Sequence, residues 1–220
     1  TGITPALSRQ AADSTLSAVQ AASQAGWTVS CDLNFRKKLW RWDARLAPRD
    51  LAEQTMRQLL PWIDLVVANE EDCGDVLQIR AGDTDVHSGH LAIDRYPDVA
   101  RQVIEQVPNV SYVGITLRES LSASHNRWGG MLYDRDQSQA LFAPLREGRY
   151  EPYSITNIVD RVGAGDSFSA GLIFALTTPK LSSPETAIRF AVAASCLAHS
   201  TVGDFNFNTR AEIEALMAGS

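Results

Sequence analysis

Asp160-Arg161-Val162-Gly163-Ala164-Gly165-Asp166-Ser167-Phe168 is the stretch of this chain that decides its fold. It lies between an extended segment predicted over residues 153–159 and an apolar helix predicted over residues 166–176. Because its glycines and alanine carry almost no side chain, the backbone N–H groups there are open to a ligand. The first N–H groups of a helix lack intrahelical partners and carry the positive end of the helix dipole. The stretch therefore predicts an anion site, most naturally for phosphate.

Asp166 is the unusual member of this site, because a carboxylate would repel a bound phosphate. A role that fits is to accept the proton of a hydroxyl group that attacks phosphorus, with a metal ion offsetting the charge. The structural alternative is a tight turn before a helix, where aspartate is a common first-turn residue. Residues 163–166 alone do not decide between these two interpretations.

Two other phosphate-binding motifs are excluded. The dinucleotide-binding fingerprint needs a third glycine, and Phe168 occupies that place. The Walker loop needs Gly-Lys-Ser/Thr after its glycines, and the sequence contains no such run. A dehydrogenase is therefore disfavoured.

The stretch closely resembles the C-terminal signature of the ribokinase-like (PfkB-type) sugar kinases. In that family an Asp-x-x-Gly-Ala-Gly-Asp-x-Phe run opens a helix that continues with Ala-Gly, as Ala170-Gly171 do here. The resemblance implies a catalytic base at Asp166 and an anion hole from the backbone of Gly163, Ala164 and Gly165. Arg161 departs from the family pattern, which usually has a small residue at this place. A phosphate contact and a surface arginine both remain open for Arg161.

Composition limits the class of protein. The 220 residues are 45% hydrophobic and 21% charged, which is typical of a soluble globular enzyme. The formal charge of -6 argues against nucleic acid as the main partner. No apolar run approaches the ~20 residues of a membrane-spanning helix. The three cysteines are isolated and form no metal-binding spacing, which favours a reduced, cytoplasmic protein.

Helical and strand patterns alternate along the chain, and this alternation predicts a parallel sheet. Together with the resemblance, it predicts a ribokinase-like three-layer α/β/α fold with a mostly parallel sheet, covering residues 2–217. The predicted helices span residues 15–25, 48–60, 96–107, 184–199 and 210–218, with another opening at 69–72. The predicted strands span residues 27–33, 63–68 and 110–116, with an antiparallel pair at 127–133 and 139–145.

Full-length members of the family carry a further N-terminal portion that holds the first strands, a small lid and part of the sugar site. The present sequence begins at Thr1 without a methionine. The resemblance therefore implies that residues 1–220 form a partial kinase domain that lacks the N-terminal strands and the lid.

Candidate substrate-binding residues follow the first predicted strand. Asn34 and Arg36 stand at its C-terminal end, where open α/β sheets bind ligands, and an arginine fork can hold a carboxylate or phosphate. A solvated basic loop over residues 36–38 is the alternative. The run resembles the Asp-x-Asn-x-Arg-x-x-x-Trp region of the same kinases, which implies a place for Asn34 and Arg36 near the sugar and the phosphates.

Candidate metal-binding residues follow the second predicted strand. Acidic residues at a helix start need no functional explanation, because the helix dipole favours them. In the kinases, however, an Asn-x-x-Glu run at this place organises magnesium through water, and magnesium prefers hard oxygen ligands. Here the last residue is Asp72, one methylene shorter. Asn69 with either Glu71 or Asp72 is therefore the predicted magnesium site.

Two further positions are candidates by resemblance. Thr116 and Arg118 end the third predicted strand, which in the family lies beside the nucleotide. A surface salt bridge is the alternative for Arg118. Asp204 lies in a predicted turn over residues 203–208, and resemblance to the sugar-acid kinases implies a hydrogen bond from a substrate hydroxyl to its carboxylate. A turn aspartate is the alternative.

The function that the resemblance implies is ATP-dependent, magnesium-assisted phosphorylation of 2-keto-3-deoxygluconate at its terminal hydroxyl. Two alternatives remain open: a fructokinase-like kinase of a neutral sugar, and a folded but catalytically incomplete fragment. The implied partners are a small sugar acid and ATP, with neither nucleic acid nor a membrane. The family is also compatible with a homo-oligomer.

Overall fold

The computed structural model describes residues 1–69, 71–79 and 93–219. Residues 81–90, whose polar and glycine-containing sequence with His87 and His90 predicts a surface loop, lie outside the described residues. The helices are α1 (Arg9–Gln24), α2 (Pro48–Leu59), α3 (Asp72–Leu77), α4 (Tyr96–Gln106), α5 (Ala164–Thr177), α6 (Pro184–Ala198) and α7 (Arg210–Ala218). The strands are β1 (Ser30–Asp32), β2 (Leu65–Ala68), β3 (Tyr112–Ser120), β4 (Asn126–Asp134), β5 (Gln139–Ala143), β6 (Leu145–Arg146), β7 (Arg149–Tyr150) and β8 (Tyr153–Ile155).

The described residues form two compact units. The first contains residues 1–69, 71–79, 94–115 and 133–139, and the second contains residues 93, 116–132 and 140–219. Most of the helices and the parallel strands before residue 116 therefore belong to the first unit. The second unit holds the central stretch and the three C-terminal helices.

The first unit is built on parallel strands, as the alternating pattern predicts. β1 pairs with β2 from Ser30↔Leu65 to Asp32↔Val67, and β2 pairs with β3 from Leu65↔Tyr112 to Ala68↔Ile115. All four side chains of β2 are buried, which is typical of a parallel strand covered on both faces. The amphipathic helix α2 adds a buried stripe to this core: Leu51, Ala52, Thr55, Met56 and Leu59.

Two predicted boundaries in the first unit are wrong by three residues or more. α1 begins at Arg9, because the Ser8 hydroxyl accepts a hydrogen bond from Ala11 N (3.0 Å) and caps the helix six residues earlier than predicted. β1 begins at Ser30 rather than at residue 27. The N–H of Val29 donates to the Asp64 carboxylate (2.7 Å) instead of to a strand partner, and the Trp27 side chain is 71% exposed.

The second unit contains the antiparallel strands. β4 and β5 are neighbours in the sheet and are joined by only four residues, which is too short for a parallel crossover. β8 pairs antiparallel with β4 from Asn126↔Ile155 to Trp128↔Tyr153, and β6 with β7 forms a small separate sheet. The predicted hairpin is confirmed. β3 runs on to Ser120, four residues beyond its predicted end, and leads directly into β4.

Small residues let α5 and α6 lie close together. A Cβ added to Gly171 of α5 would stand 3.1 Å from the Cα of Ala191 and 3.2 Å from the Cβ of Ala194, both on α6. Phe168 and Leu172 are fully buried beside this crossing. The alanines of α6 therefore serve helix packing, and the crossing fixes the start of α5, where the candidate site begins.

Candidate active site

The anion loop, residues 160–166, ends at the N-terminus of α5. Gly163 is the residue before the helix and has φ +82°, a left-handed conformation that favours glycine. The first hydrogen bond of the helix runs from Ser167 N to Gly163 O (2.8 Å). The N–H groups of Ala164, Gly165 and Asp166 precede that bond and have no intrahelical acceptor. These three N–H groups therefore lie at the start of the helix without a bond inside it, as the sequence predicts for a helix N-terminus.

A close backbone contact also requires glycine at residue 163. A Cβ at Gly163 would lie 2.8 Å from the carbonyl carbon of Asp204 and 2.9 Å from its Cα. Gly165, by contrast, has nothing within 4 Å of an added Cβ. The two glycines therefore differ: Gly163 is required by backbone conformation and packing, whereas Gly165 leaves open space above the helix end.

The Asp160 carboxylate shapes the beginning of the anion loop. It accepts hydrogen bonds from the backbone N–H of Arg161 (2.7 Å), Val162 (3.0 Å) and Gly203 (3.0 Å). These bonds, led by the one from Val162, hold the pKa of Asp160 below its usual range. Asp160 therefore has a structural role: its hydrogen bonds connect the anion loop to the turn that contains Asp204.

The Arg161 side chain is exposed, and its hydrogen bonds go to the protein backbone. Its guanidinium donates to the carbonyl oxygens of Ser122 (2.9 Å) and Ala123 (2.8 Å), in the link between β3 and β4. Arg161 therefore connects that link to the anion loop through two hydrogen bonds.

Asp166 and Asp204 line the same pocket, which has a volume of about 450 Å³. Both side chains are exposed. The rest of the lining is largely apolar and aromatic, with two asparagines and one arginine: Ser167, Ala170, Gly171, Phe174, Phe190, Ala194, Phe205, Asn206, Asn208, Arg210 and Ile213. An exposed carboxylate beside open N–H groups can accept a proton while the N–H groups hold an anion.

Asn206 is a site residue that the sequence analysis missed. Its side-chain NH₂ donates to Ala194 O of α6 (3.0 Å), and its side-chain oxygen accepts from the backbone N–H (3.0 Å) and the side-chain NH₂ (2.7 Å) of Asn208. An asparagine that bonds the backbone two residues on is a recognisable turn signal. The Asn-x-Asn spacing just before the Thr209 cap could have revealed it.

The predicted substrate loop of the first unit is held by two aspartates. Asn34 has φ +38°, and its N–H donates to the Asp32 carboxylate (3.1 Å). The N–H of Phe35 donates to Asp72 (3.0 Å). The Arg36 side chain is exposed and donates to Phe35 O (3.1 Å), so much of its fork faces outward.

The three predicted metal-binding residues are not equivalent. Asp72 is only 5% exposed, and its two oxygens accept from the N–H of Phe35 and of Asn69 (3.3 Å). Burial raises the pKa of Asp72. The Asn69 oxygen accepts from the N–H of Glu71 (2.8 Å) and Asp72 (2.9 Å). Glu71 alone of the three presents an exposed side chain with no hydrogen bond or ion pair to a described residue.

The hard-oxygen donor that fits magnesium here is therefore Glu71, with Asn69 and Asp72 shaping the turn around it. Among the residues that the structure describes, no three histidine, cysteine or acidic side chains are grouped as a metal site. A single carboxylate, with water as the other ligands, fits an ion that keeps several waters when it binds.

Thr116 and Arg118 lie on β3 in the second unit, the first half-buried and the second exposed. Burial lowers the pKa of His199, and the positive charges of Arg161 and Arg118 lower it further. Within the second unit, the structure brings Asp166 and Asp204 together with the anion loop. Asn34, Arg36 and the run from Asn69 to Asp72 belong to the first unit.

Comparison with known proteins confirms the resemblance to the PfkB-type kinases. Residues 137–210 match the sequence model described as pfkB family carbohydrate kinase. A curated Haloferax volcanii protein named 2-dehydro-3-deoxygalactonokinase is 28% identical over 218 residues, which is 99% of this chain and 56% of the relative. Residues 137–210 thus resemble a PfkB-family carbohydrate kinase domain, and the chain spans a little over half the length of this relative.

Solved structures confirm the ribokinase-like α/β fold with its mostly parallel sheet. The 2-dehydro-3-deoxygluconokinase of Thermotoga maritima superposes with a TM-score of 0.83 at 37% identity, over 99% of this chain and 59% of that protein. A PfkB family carbohydrate kinase from Listeria grayi superposes with a TM-score of 0.79 at 28% identity, over 99% of this chain and 58% of that protein.

In the described part of the chain, no helix has the length and apolar character needed to span a bilayer.

Proposed function

We propose that this chain catalyses ATP-dependent phosphorylation of a sugar acid, with the terminal hydroxyl of 2-keto-3-deoxygluconate as the acceptor. The observation that carries the proposal is the position of Asp166. Its carboxylate lies in the first turn of α5, beside open N–H groups, and shares a pocket with Asp204. A base and an anion hole within one turn of helix are the parts that phosphoryl transfer to a hydroxyl needs.

Asp166 takes the proton of the acceptor hydroxyl as that oxygen attacks the γ-phosphorus of ATP, while the bond from the γ-phosphorus to the bridging oxygen breaks and ADP leaves. The backbone N–H groups of residues 163–166 hold the charge on the transferred phosphoryl group. Asp204 accepts a hydrogen bond from another hydroxyl of the acceptor and so fixes its orientation. Positioning and electrostatics supply most of the acceleration in such reactions.

The remaining residues serve the two substrates. Asn34 and Arg36 orient the acceptor or the transferred phosphoryl group, since the exposed fork of Arg36 suits a carboxylate or a phosphate. Thr116 and Arg118 contact the nucleotide. Magnesium, when bound, neutralises charge on the phosphates, and Glu71 is the side chain that would hold it through water.

The choice of a sugar acid is supported by the names of the relatives. One is named for 2-dehydro-3-deoxygalactonate and another for 2-dehydro-3-deoxygluconate, two acids that differ in the configuration of a single carbon. Both acceptors therefore belong in the first assay, together with fructose as the neutral alternative. ATP as donor and the cytoplasm as location follow from the proposed reaction, because ATP-dependent sugar catabolism takes place there.

The decisive experiment measures ADP formation by the 220-residue chain with ATP, magnesium and each acceptor. We expect turnover with the two sugar acids and little with fructose. Asp166→Asn should lower kcat by about 10²–10⁴-fold, the usual contribution of a general base, while ADP binding is retained. Equal turnover by this variant would remove Asp166 as the base.

The same assay separates the alternatives. A preference for fructose would show that the acceptor is a neutral sugar and not a sugar acid. No turnover with any acceptor, by a chain that is folded by circular dichroism, would support the incomplete-fragment alternative and reject catalysis by residues 1–220. A homo-oligomer remains a prediction, which sedimentation of the same sample tests.

A further inference from the structure

The last turn of α6 is attached to the anion loop through a buried serine. Ser195 is fully buried, and its hydroxyl donates to the carbonyl oxygen of Ala164 (2.7 Å). Ala164 is the first residue of α5 and the middle member of the anion hole. Ser195 lies in an alanine-rich helix. Its hydrogen bond to the Ala164 carbonyl fixes the peptide plane next to the N–H groups that face the ligand.

The same turn of α6 also holds the beginning of the anion loop. The carbonyl oxygen of His199 accepts from the N–H of Val159 (2.9 Å) and of Asp160 (3.3 Å). The His199 ring is buried, and its Nδ1 lies 2.9 Å from the carbonyl oxygen of Ser195, so that nitrogen must carry the proton. The loop over residues 159–164 is therefore fastened to α6 at both ends.

A third attachment holds the turn that carries Asp204. The Asn206 side chain donates to Ala194 O, one residue before Ser195 on the same helix. The backbone of Asp204 in turn packs against Gly163, and the N–H of Gly203 donates to Asp160. Both the anion hole and the acceptor-binding aspartate thus take their positions from residues 194–199.

We propose that Ser195 and Asn206 are positioning residues that divide the site between them. Ser195 sets the anion hole through Ala164, and Asn206 sets Asp204 through its turn. This inference rests on the proposed phosphotransfer. Because a misplacement of about 1 Å can cost a hundredfold in rate, removal of either side chain should be visible in kinetics through the backbone that it holds.

The two variants should affect different kinetic constants. Ser195→Ala should lower kcat by roughly 10-fold and leave the acceptor KM within about twofold, because the anion hole acts on charge that develops in the transition state. Asn206→Ala should raise the acceptor KM by roughly 10-fold with a smaller change in kcat, because Asp204 binds the acceptor in both states. Equal effects of both variants on both constants would overturn this division.

Ser169→Ala is the matched control. Ser169 lies on α5, and its hydroxyl is buried with no hydrogen-bond partner among the described residues. The control removes the same atom from a neighbouring place without breaking a bond to the anion loop. It should leave kcat, KM and amide exchange as in the wild-type chain, and a change in the control as large as that in Ser195→Ala would assign the effect to packing.

Amide hydrogen exchange separates this proposal from the proposed function. In Ser195→Ala we expect faster exchange of the Ser167 N–H, which donates to Gly163 O, than in the wild-type chain or in Ser169→Ala. If the wild-type chain has no kinase activity, the proposed function fails while exchange still decides whether Ser195 holds the loop. Unchanged exchange at Ser167 would overturn the positioning role. If Ser195→Ala does not fold, Ser195→Cys, which keeps a weak donor, takes its place and should show a smaller shift in the same direction.

Discussion

Two loops, one in each unit, contain the same types of residue and use them differently. In the anion loop of the second unit, Asp160 accepts three backbone N–H groups and Asp166 stays exposed. In the turn from Asn69 to Asp72 of the first unit, Asp72 is buried on two backbone N–H groups and Glu71 stays exposed. Each loop therefore has one acid that builds the backbone and one that is free for a ligand.

Residue type and spacing do not identify the reactive acid of such a loop. The acid whose oxygens already accept backbone N–H groups is structural, and the other acid is available for a ligand. The two structural acids also differ in environment: hydrogen bonds at a half-buried position lower the pKa of Asp160, whereas burial raises the pKa of Asp72. The following substitutions test this comparison.

The largest effect is expected from Gly163→Ala. Alanine would have to adopt φ +82° and its Cβ would collide with the backbone of Asp204. We expect a loss of roughly 1–3 kcal/mol in the free energy of unfolding, the usual cost of such strain, and a loss of nearly all activity. Urea denaturation and the ADP assay measure the two effects.

Gly165→Ala is the control for that substitution. Its Cβ would meet nothing within 4 Å, and alanine is the better helix former. Its stability should equal or exceed that of the wild-type chain. A destabilisation as large as that of Gly163→Ala would show that the backbone conformation of residue 163 is not the cause.

Asp72→Ala should have the next largest effect, because it leaves the N–H groups of Phe35 and Asn69 without their acceptor in a buried place. An unsatisfied buried donor costs about 1–3 kcal/mol, measured as a shift of the urea midpoint. Glu71→Gln should change the free energy of unfolding by less than about 0.5 kcal/mol but raise the magnesium concentration for half-maximal activity. If Asp72→Ala alone changed the magnesium requirement, the assignment of the two acids would be reversed.

The smallest effect concerns pH. The pKa of Asp160 is lower in the folded chain than its unfolded value of about 3.9. Asp160 therefore contributes stability above about pH 4, and this contribution is lost as pH falls through its lowered folded pKa. The difference in urea midpoint between the wild-type chain and Asp160→Asn should be largest near pH 7 and shrink in acid.

The contribution of Asp72 to stability changes with pH in the opposite sense, because the pKa of Asp72 is raised in the folded chain. Its burial penalty applies while the group is ionised, and the folded chain gains relative stability as pH falls through that raised pKa. The difference between the wild-type chain and Asp72→Asn should therefore vary with pH in the opposite sense to that of Asp160→Asn. Parallel pH profiles would show that the two environments are not distinct.

Much of the fold could be predicted from the sequence, because the period of apolar residues reflects burial directly. α7 begins and ends where the Thr209 cap and the apolar pattern place it. The starts of α1 and β1 were predicted wrongly because a side chain, and not the backbone, makes the hydrogen bond there. The predicted start of α1 at residue 15 was too late, and only the structure shows that Ser8 caps this helix. The bond from Val29 to Asp64 joins residues far apart in sequence, so no local pattern reveals it.

The site was predictable to a similar degree. The local run identified the anion loop, because all its parts lie within a few residues. The resemblance named Asp204, and the structure places it in the pocket of Asp166. Arg161, Ser195 and Asn206 could not be assigned, because their partners lie 38, 31 and 12 residues away in the chain.

The contact between Gly163 and the Asp204 backbone has a consequence for redesign of the acceptor site. Because the loop and the turn touch without any side chain between them, a change in the path of the turn is transmitted to the phosphate end of the pocket. New acceptor preferences are therefore easier to engineer at side chains that line the pocket from elsewhere, such as Phe174 on α5. A library that varies Phe174 should contain more active members than one that alters the length of the turn over residues 203–208.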